Sequence, residues 1–211
     1  MRRALTALVL AGTISAGCTP QISPDCDKPA REKVNWHVCD KTNASLIGAD
    51  LRRADLEFAE FRFAKLSNAD LRGASLYSAY FRDARLQKAD LREAKLDEAH
   101  FERATLAGAN LRDASMVKID LEGADLRNAN LRGVNLTGAR LNGANLRGAN
   151  LRDAKIWDID LDKADLTGAN LEGVKVGGEN WGVVGIPKAL PPGWSLKRTG
   201  PSFVMLVYTK P

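Results

Sequence analysis

The chain has 211 residues and a formal net charge of +5, with 31 lysine and arginine residues against 26 aspartate and glutamate residues. This length suffices for one domain and a leader. Residues 44–178 hold 21 basic and 21 acidic side chains, so this stretch is neutral and the excess positive charge lies at the two ends. A nucleic-acid-binding face usually gathers one sign of charge, so the composition argues against nucleic acid as a partner.

Residues 1–17 have the pattern of a secretory signal peptide. Arg2 and Arg3 precede an apolar run over residues 4–14, and small residues follow that run. An apolar run this short does not cross a membrane as a helix with its own flanks. We therefore expect an exported bacterial protein.

The end of this segment, Ser15-Ala16-Gly17-Cys18, resembles a bacterial lipobox. The resemblance implies that Cys18 is acylated, becomes the first mature residue and anchors the protein to a membrane. Ser15 stands where lipoboxes usually carry leucine, so ordinary cleavage after Gly17 is the alternative. Thr19 is not the aspartate that commonly retains bacterial lipoproteins at the inner membrane, which implies a periplasmic protein at the outer membrane.

Residues 18–43 are predicted to form a tether and an N-terminal cap. In an oxidising periplasm Cys26 and Cys39 should pair if Cys18 is lipidated, and closing that loop stabilises the fold by about 3 kcal/mol on the chain-entropy model. Two free buried thiols are the alternative. A metal ion needs more ligands than these two cysteines and His37 provide, so no metal site is predicted.

Residues 44–178 repeat every five residues without loss of register. A large apolar side chain occupies every fifth position from Leu46 to Val176, 27 times in succession, and a small or compact apolar residue lies two places before each. A spacing of five would scatter leucines around an α-helix and would send them to alternate faces of a flat strand. The chain must therefore turn between units and wind into a coil with an apolar axis.

Exceptions to the pattern give the number of units in one coil. Phe61, Phe81 and Phe101 replace leucine at positions twenty residues apart, and Ile119 and Ile159 replace alanine forty apart. Like residues therefore stack if four five-residue units close each coil. With neighbouring coils about 4.8 Å apart, nearly seven coils make a rod of roughly 32 Å.

The runs Ala-Asp-Leu-Arg-Arg-Ala-Asp-Leu at 49–56 and Ala-Asn-Leu-Arg-Gly-Ala-Asn-Leu at 144–151 resemble the pentapeptide-repeat family. The resemblance implies an all-β fold, a right-handed quadrilateral β-helix or solenoid of about 20 residues per coil. Some family members mimic duplex DNA and bind DNA gyrase, which gives fluoroquinolone resistance. That mimicry depends on a strongly negative surface, which the neutral stretch 44–178 lacks.

The repeat register continues towards the N-terminus. Val34 and Trp36 occupy the compact and the large positions of an earlier unit, and Cys39 occupies the next compact position, whereas Lys41 breaks the pattern. We therefore predict a degenerate first coil over residues 34–43. Trp36 is expected to close an end that would otherwise expose strand edges.

Residues 179–211 are predicted to form a C-terminal cap with a β-hairpin. Leu190 to Trp194 resembles a Leu-Pro-X-Gly-Trp motif that follows many pentapeptide arrays. Strands are predicted at Ser195–Arg198 and Ser202–Tyr208, around a Gly-Pro turn. The hairpin should lie over the last coil or along one face of the rod.

One predicted face carries a column of arginines beside a column of aspartate and asparagine. The arginines are Arg52, Arg72, Arg92, Arg112, Arg132 and Arg152. The structural interpretation is that the arginines neutralise stacked acids while the amides and carboxylates bind turn N–H groups. The functional interpretation is a stripe that grips an anionic polymer or an acidic protein face, strongest from Arg112 to Arg152, where the neighbours are neutral.

A second column alternates in charge, because Asp120, Arg140 and Asp160 follow one another at intervals of twenty. Stacked at about 4.8 Å, these side chains should pair. His100 precedes Asp120 in the same column and is expected to gain a carboxylate neighbour. The structural interpretation is that this histidine is an ordinary surface residue with no role in a site.

Outward positions of the early coils carry Phe58, Phe63, Tyr77 and Tyr80. Large apolar groups exposed together usually mark a contact. They are either covered by the N-terminal arm or the C-terminal hairpin, or they form a protein or ligand site.

The sequence has no catalytic constellation, no phosphate-binding glycine loop and an axis filled with leucine, so we expect neither an enzyme nor a cofactor. The expected function is a scaffold or adaptor at the cell envelope. Its partner would be an envelope protein or an anionic polymer, and a rod end could join two copies. A gyrase-binding DNA mimic is the disfavoured alternative.

Overall fold

A computed structural model describes residues 24–176, 189–198 and 204–208. The predicted signal peptide and Cys18 lie outside the described residues. Parallel backbone bridges join residues twenty apart along the rod, from Asn35 with Asp55 to Lys155 with Lys175. The prediction of four five-residue units per coil is confirmed.

Each unit is a short extended segment followed by a tight turn. In the unit centred on Leu51, the Leu51 N–H donates to the Asp70 carbonyl of the next coil at 2.7 Å, and the Ala54 N–H donates to the Leu51 carbonyl at 3.2 Å across the turn. The second turn residue has a positive φ, 55° at Arg53 and 64° at Gly73. Glycine, asparagine and aspartate tolerate this conformation best. This explains why they are frequent at the second turn residue, two places after each large apolar residue.

The axis of the rod is a continuous apolar core. The large side chains and their compact partners are buried from Leu51 to Leu171. The predicted interior series is wrong at its ends, because Leu46 is only partly buried and Val176 is 37% exposed where the last coil has less chain above it.

The phenylalanines lie one above another in this core. The ring centroids are 4.7 Å apart between Phe61 and Phe81 and 4.6 Å apart between Phe81 and Phe101, with interplanar angles of 12° and 9°. The predicted phenylalanine stack is therefore confirmed.

The first coil follows the predicted register. Val34, Trp36 and Cys39 are buried, and a disulfide joins Cys26 to Cys39, as predicted. Lys41 does not enter the core: its ammonium lies 3.9 Å from the centre of the Trp36 ring and donates to the Cys26 carbonyl. A cation–π contact and a hydrogen bond thus accommodate the charge that interrupts the repeat.

After the repeats the chain returns to the end of the rod. Ala189 bridges to Asp165, and Leu190 and Trp194 pack against the apolar core. Strand β1 (Trp194–Arg198) pairs antiparallel with β2 (Val204–Tyr208), so the predicted hairpin exists with its first strand one residue longer. The predicted start of the second strand at Ser202 lies outside the described residues. No helix among the described residues is long and apolar enough to cross a bilayer.

Replacing Leu131 by lysine should unfold the rod, because Leu131 is 0% exposed and an ammonium in this axis finds no partner. The expected loss of several kcal/mol is comparable to the whole stability of a domain. Ile47→Lys is the matched control, since Ile47 is 59% exposed. Melting curves by circular dichroism should show Leu131→Lys unfolded or melting far below Ile47→Lys. Equal melting temperatures would contradict the core assignment.

Candidate interaction surfaces

The first three arginines of the predicted column are neutralised by the aspartates beside them. Arg52 donates Nε and Nη2 to the two oxygens of Asp50 at 2.8 and 2.7 Å, and Asp50 also accepts the Arg52 backbone N–H at 3.2 Å. These bonds favour the ionised carboxyl and lower the pKa of Asp50 to about 2. The same fork recurs between Arg72 and Asp70 and between Arg92 and Asp90.

In the later coils the neighbouring column is a ladder of amides. Asn130 donates its Nδ2 to the side-chain oxygen of Asn110 at 3.1 Å, and Asn150 donates to Asn130 at 3.4 Å. The asparagine side chains also accept the N–H groups of the arginines that follow them, as at Arg112 and Arg132. The predicted stacking of amides is confirmed.

The later arginines nevertheless find acids, in the turns. Arg112 Nε lies 3.0 Å from Asp113, and Arg132 Nε lies 3.5 Å from Asp153. Arg152 lies 3.2 Å from Glu172. The six arginines are therefore all paired, and those from Arg112 to Arg152 are not free cations as their asparagine neighbours had suggested. Glu172 ends the arginine column in the sequence, whereas Asp113 and Asp153 were missed because they occupy the second turn position, outside the two columns compared.

Lys65, Arg85 and Lys88 are among the cations that have no acidic partner within the described part of the chain. Lys65 and Arg85 lie side by side in adjacent coils, joined by a backbone bridge, and Lys88 follows in the next turn. Like charges opposite one another on neighbouring strands repel, so this patch would gain from an external anion. Sequence reasoning missed it, although the twenty-residue register contains the signal.

The exposed aromatic residues form part of a preformed surface. Phe58, Phe63, Tyr77 and Tyr80 are 40%, 54%, 36% and 36% exposed, so residues 24–43 do not cover them. The Phe58 and Tyr77 rings meet edge to face at 5.5 Å. The Tyr77 O–H donates to Glu98 at 2.8 Å, which raises the pKa of the tyrosine and fixes its ring. Rigid aromatic groups of this kind are typical anchors of protein interfaces.

The alternating column is paired only in part. Arg140 donates to Asp120 at 2.6 Å and to Glu122 at 2.8 Å, both in the preceding coil. Its predicted pairing with Asp160 is wrong, because the long side chain turns towards two acids at once. Asp160 instead accepts the backbone N–H of Asp162 in its own turn.

Both histidines lie beside two carboxylates. His37 Nδ1 is 3.5 Å from Asp55 and 4.0 Å from Glu57. His100 Nδ1 is 3.6 Å from Glu102, and Asp120 completes that second group, as the column predicted. The donor atoms within each group lie within 4.8 Å of one another. The sequence predicted no metal site, because the cysteines and His37 offer too few ligands and no cluster has metal-ligand spacing along the chain. The coil register brings Asp55 and Glu57 beside His37 from a separate coil.

Comparison with known proteins agrees with this architecture. The family model for pentapeptide repeats matches residues 42–73, 74–113, 104–143, 114–153 and 144–178. The chain belongs to the pentapeptide-repeat family. Its coil of four units is accordingly the right-handed quadrilateral β-helix of that family. The comparison with curated protein sequences gives no match.

Solved pentapeptide-repeat structures are similar to this member. HetL, involved in heterocyst differentiation regulation in the cyanobacterium Nostoc sp. strain PCC 7120, is 32% identical over 69% of this chain and 86% of its own, with a TM-score of 0.27. The plasmid-mediated fluoroquinolone resistance protein QnrB1 is 25% identical over 67% and 79%, with a TM-score of 0.25. A thylakoid-lumen protein of Arabidopsis thaliana is 32% identical over 54% and 66%, with a TM-score of 0.22.

Replacing Arg52 by glutamine should raise the pKa of Asp50 from about 2 towards its ordinary value of 3.8, because the hydrogen bonds to the guanidinium are lost. The native pKa lies below the unfolded one, so the pair stabilises the fold above the unfolded pKa. That contribution disappears as the pH falls through about 2. Carboxyl carbon NMR titration measures the change. Arg112→Gln is the control and should leave the pKa of Asp50 unchanged, whereas an unaltered pKa in Arg52→Gln would contradict the pairing.

Proposed function

We propose that this pentapeptide-repeat protein is an exported, non-catalytic rod that serves as a protein-interaction scaffold or adaptor at the bacterial cell envelope. The observation that carries the proposal is the exposed aromatic surface around Phe58 and Tyr77 on a rod whose other outward side chains are mostly charged or polar. Because the axis is filled with side chains, binding is confined to the outer walls. The first coil, with Trp36 and the disulfide, closes the N-terminal end of the rod. The C-terminal segment from Ala189 closes the other end.

The aromatic surface suits a protein partner better than a small charged ligand. Phe58 and Tyr77 present apolar area that is already ordered by their edge-to-face contact. Binding such rigid groups costs little conformational entropy, and burying them releases water from apolar surface. Phe63 and Tyr80 are exposed in the units that follow Phe58 and Tyr77 in the same coils.

Export is supported by two independent features. The N-terminal sequence has the order of a signal peptide followed by Cys18, and Cys26 is joined to Cys39 by a disulfide. Structural disulfides persist in oxidising compartments and are rare in the cytosol. A lipid on Cys18 would hold the first coils nearest the outer membrane, which places the aromatic surface close to other envelope proteins.

The activity named for QnrB1 is not the one we propose for this chain. A mimic of duplex DNA needs a dense negative surface, because contacts to phosphate dominate DNA recognition. Residues 44–178 carry 21 basic and 21 acidic groups, and the arginine column lies on one whole face. A signal peptide would also separate the protein from gyrase in the cytoplasm.

A second candidate function is binding of an anionic envelope polymer. The patch of Lys65, Arg85 and Lys88 favours it, because these cations have no acidic partner among the described residues. The arginine column is the weaker contact for such a polymer, since each arginine would have to leave or share its carboxylate. Phosphate groups of a polymer would neutralise the stacked Lys65 and Arg85.

Inhibition of lipoprotein signal peptidase should leave an unprocessed precursor in the membrane fraction, because that enzyme cleaves only after acylation of the cysteine. Immunoblotting of cells with and without inhibitor measures the change in mass. Cys18→Ala is the matched control, since its processing cannot depend on acylation. Normal maturation of the wild-type chain under inhibitor would exclude a lipid on Cys18.

Envelope pull-downs should lose the principal partner when Phe58 and Tyr77 are both replaced by serine, because central aromatic anchors supply about 2 kcal/mol or more each. Trp157→Ser is the matched control, since Trp157 is 41% exposed and occupies the Tyr77 column four coils away. Quantitative mass spectrometry should show a drop of more than about tenfold only for the double variant. Equal capture by both variants would contradict the aromatic surface. Loss of capture in Lys65→Glu/Arg85→Glu alone would favour the anionic polymer.

A further inference from the structure

We propose that His37, Asp55 and Glu57 form a binding site for a divalent transition-metal ion such as zinc, which joins the first coil to the second. This site does not require the proposed scaffold function. It depends on the spacing of three donor atoms, on local charge and on the groups that hold the donors in place.

The coil register brings the three side chains together. His37 follows Trp36 in the first coil, while Asp55 and Glu57 flank Leu56 in the second coil. The backbone fixes this pairing, because the Trp36 N–H donates to the Asp55 carbonyl at 2.7 Å and the Val38 N–H donates to the Glu57 carbonyl at 2.9 Å. The histidine and both acids therefore project from the same face in adjacent positions.

The distances fit shared ligation better than direct hydrogen bonding. His37 Nδ1 lies 3.5 Å from Asp55 Oδ1 and 4.0 Å from Glu57 Oε2, both longer than an N–H···O hydrogen bond. Two ligands at about 2.0–2.2 Å from a tetrahedral ion lie about 3.3–3.5 Å from each other. The distance from His37 to Asp55 matches this spacing, whereas Glu57 would have to move closer to His37, and the two carboxylate oxygens lie within 4.8 Å of each other.

The local charge also favours a cation. Neither Asp55 nor Glu57 forms an ion pair with a lysine or arginine among the described residues, in contrast to the acids of the arginine column. With a neutral imidazole, the group carries two negative charges. A divalent ion would neutralise both, and an imidazole with two carboxylates is a donor set that favours zinc, copper or nickel over magnesium and calcium.

Neighbouring groups orient the donors. The Ser75 hydroxyl donates to Glu57 Oε1 at 2.6 Å, so the other oxygen, Oε2, is the one nearest His37. The Glu57 N–H donates to Asp55 Oδ1 at 3.3 Å, and the edge of the His37 ring packs against Phe58 at 5.5 Å. Such supporting contacts raise affinity by fixing ligands before the ion arrives. The side chains are between a third and a half exposed, which leaves room for a water ligand.

The second histidine group provides an internal comparison. His100, Glu102 and Asp120 offer the same types of donor, but Arg140 donates to Asp120 at 2.6 Å. The guanidinium charge disfavours a divalent ion, and its hydrogen bond occupies one carboxylate oxygen of Asp120. The ring of Tyr80 also stacks on His100 at 4.8 Å. We therefore expect strong binding only at His37.

Isothermal titration of the purified full chain tests the proposal. The chain carries no polyhistidine tag and is first stripped with EDTA. Zinc chloride should bind with one high-affinity ion per chain and with a dissociation constant in the micromolar range or below.

The variants test which residues bind the ion. His37→Ala and Asp55→Asn should each weaken zinc binding by about tenfold or more. His100→Ala should leave it unchanged. Circular dichroism verifies that each variant is folded.

Three outcomes would overturn the site. They are the absence of zinc binding to the wild-type chain, an equal loss in His37→Ala and His100→Ala, and binding of magnesium as tight as that of zinc. Zinc should also raise the melting temperature of the wild-type chain and not that of His37→Ala, because the ion links two coils in the folded state only. The titration measures binding and the melting temperature measures stability. Both test the same three residues without any partner protein.

Discussion

The structure depends on one repeated interaction, the backbone hydrogen bonds between successive coils, which hold equivalent residues twenty apart side by side. Each coil donates to the next at every fifth residue, as Leu51 does to Asp70 and Leu71 does to Asp90, both at 2.7 Å. The bonds force equivalent positions to stack, so a side chain meets its own counterpart above and below. An apolar position thereby becomes a continuous core, and a polar position becomes a column on the surface.

Stacking brings like charges close together within each surface column, so each column needs its own neutralising groups. A column of identical ions would repel itself, and the arginine column avoids this through forks to Asp50, Asp70 and Asp90 and through acids in later turns. Amides such as Asn110 and Asn130 need no such compensation because each both donates and accepts. Surface groups that do not fit these neutralised columns are therefore candidates for binding. The aromatic surface, the cations at Lys65 and Arg85 and the carboxylates near His37 are three such groups.

These three groups lie in the first coils, where the disulfide and the cation–π contact of Lys41 also lie. The N-terminal end has to replace the hydrogen bonds that a further coil would have provided, and it does so with covalent and side-chain contacts. A metal ion between His37 and Glu57 would add a tie of the same kind. The same end is nearest to Cys18 in the chain, so attachment, stabilisation and recognition are concentrated there.

The sequence by itself determined the period and the core positions, because only a chain that turns between units returns every leucine to one interior. The exceptions to the repeat determined the number of units per coil and hence the columns. Phe61, Phe81 and Phe101 revealed the coil length without coordinates, and Cys26 with Cys39 could be paired from compartment and number. The tertiary structure decided where each side chain points after it leaves the backbone. Arg140 turns to Asp120 and Glu122 and not to Asp160, and Arg132 reaches Asp153 in a turn. Long flexible side chains choose among several acids within reach, and that choice depends on distances of a few ångströms that no repeat pattern contains.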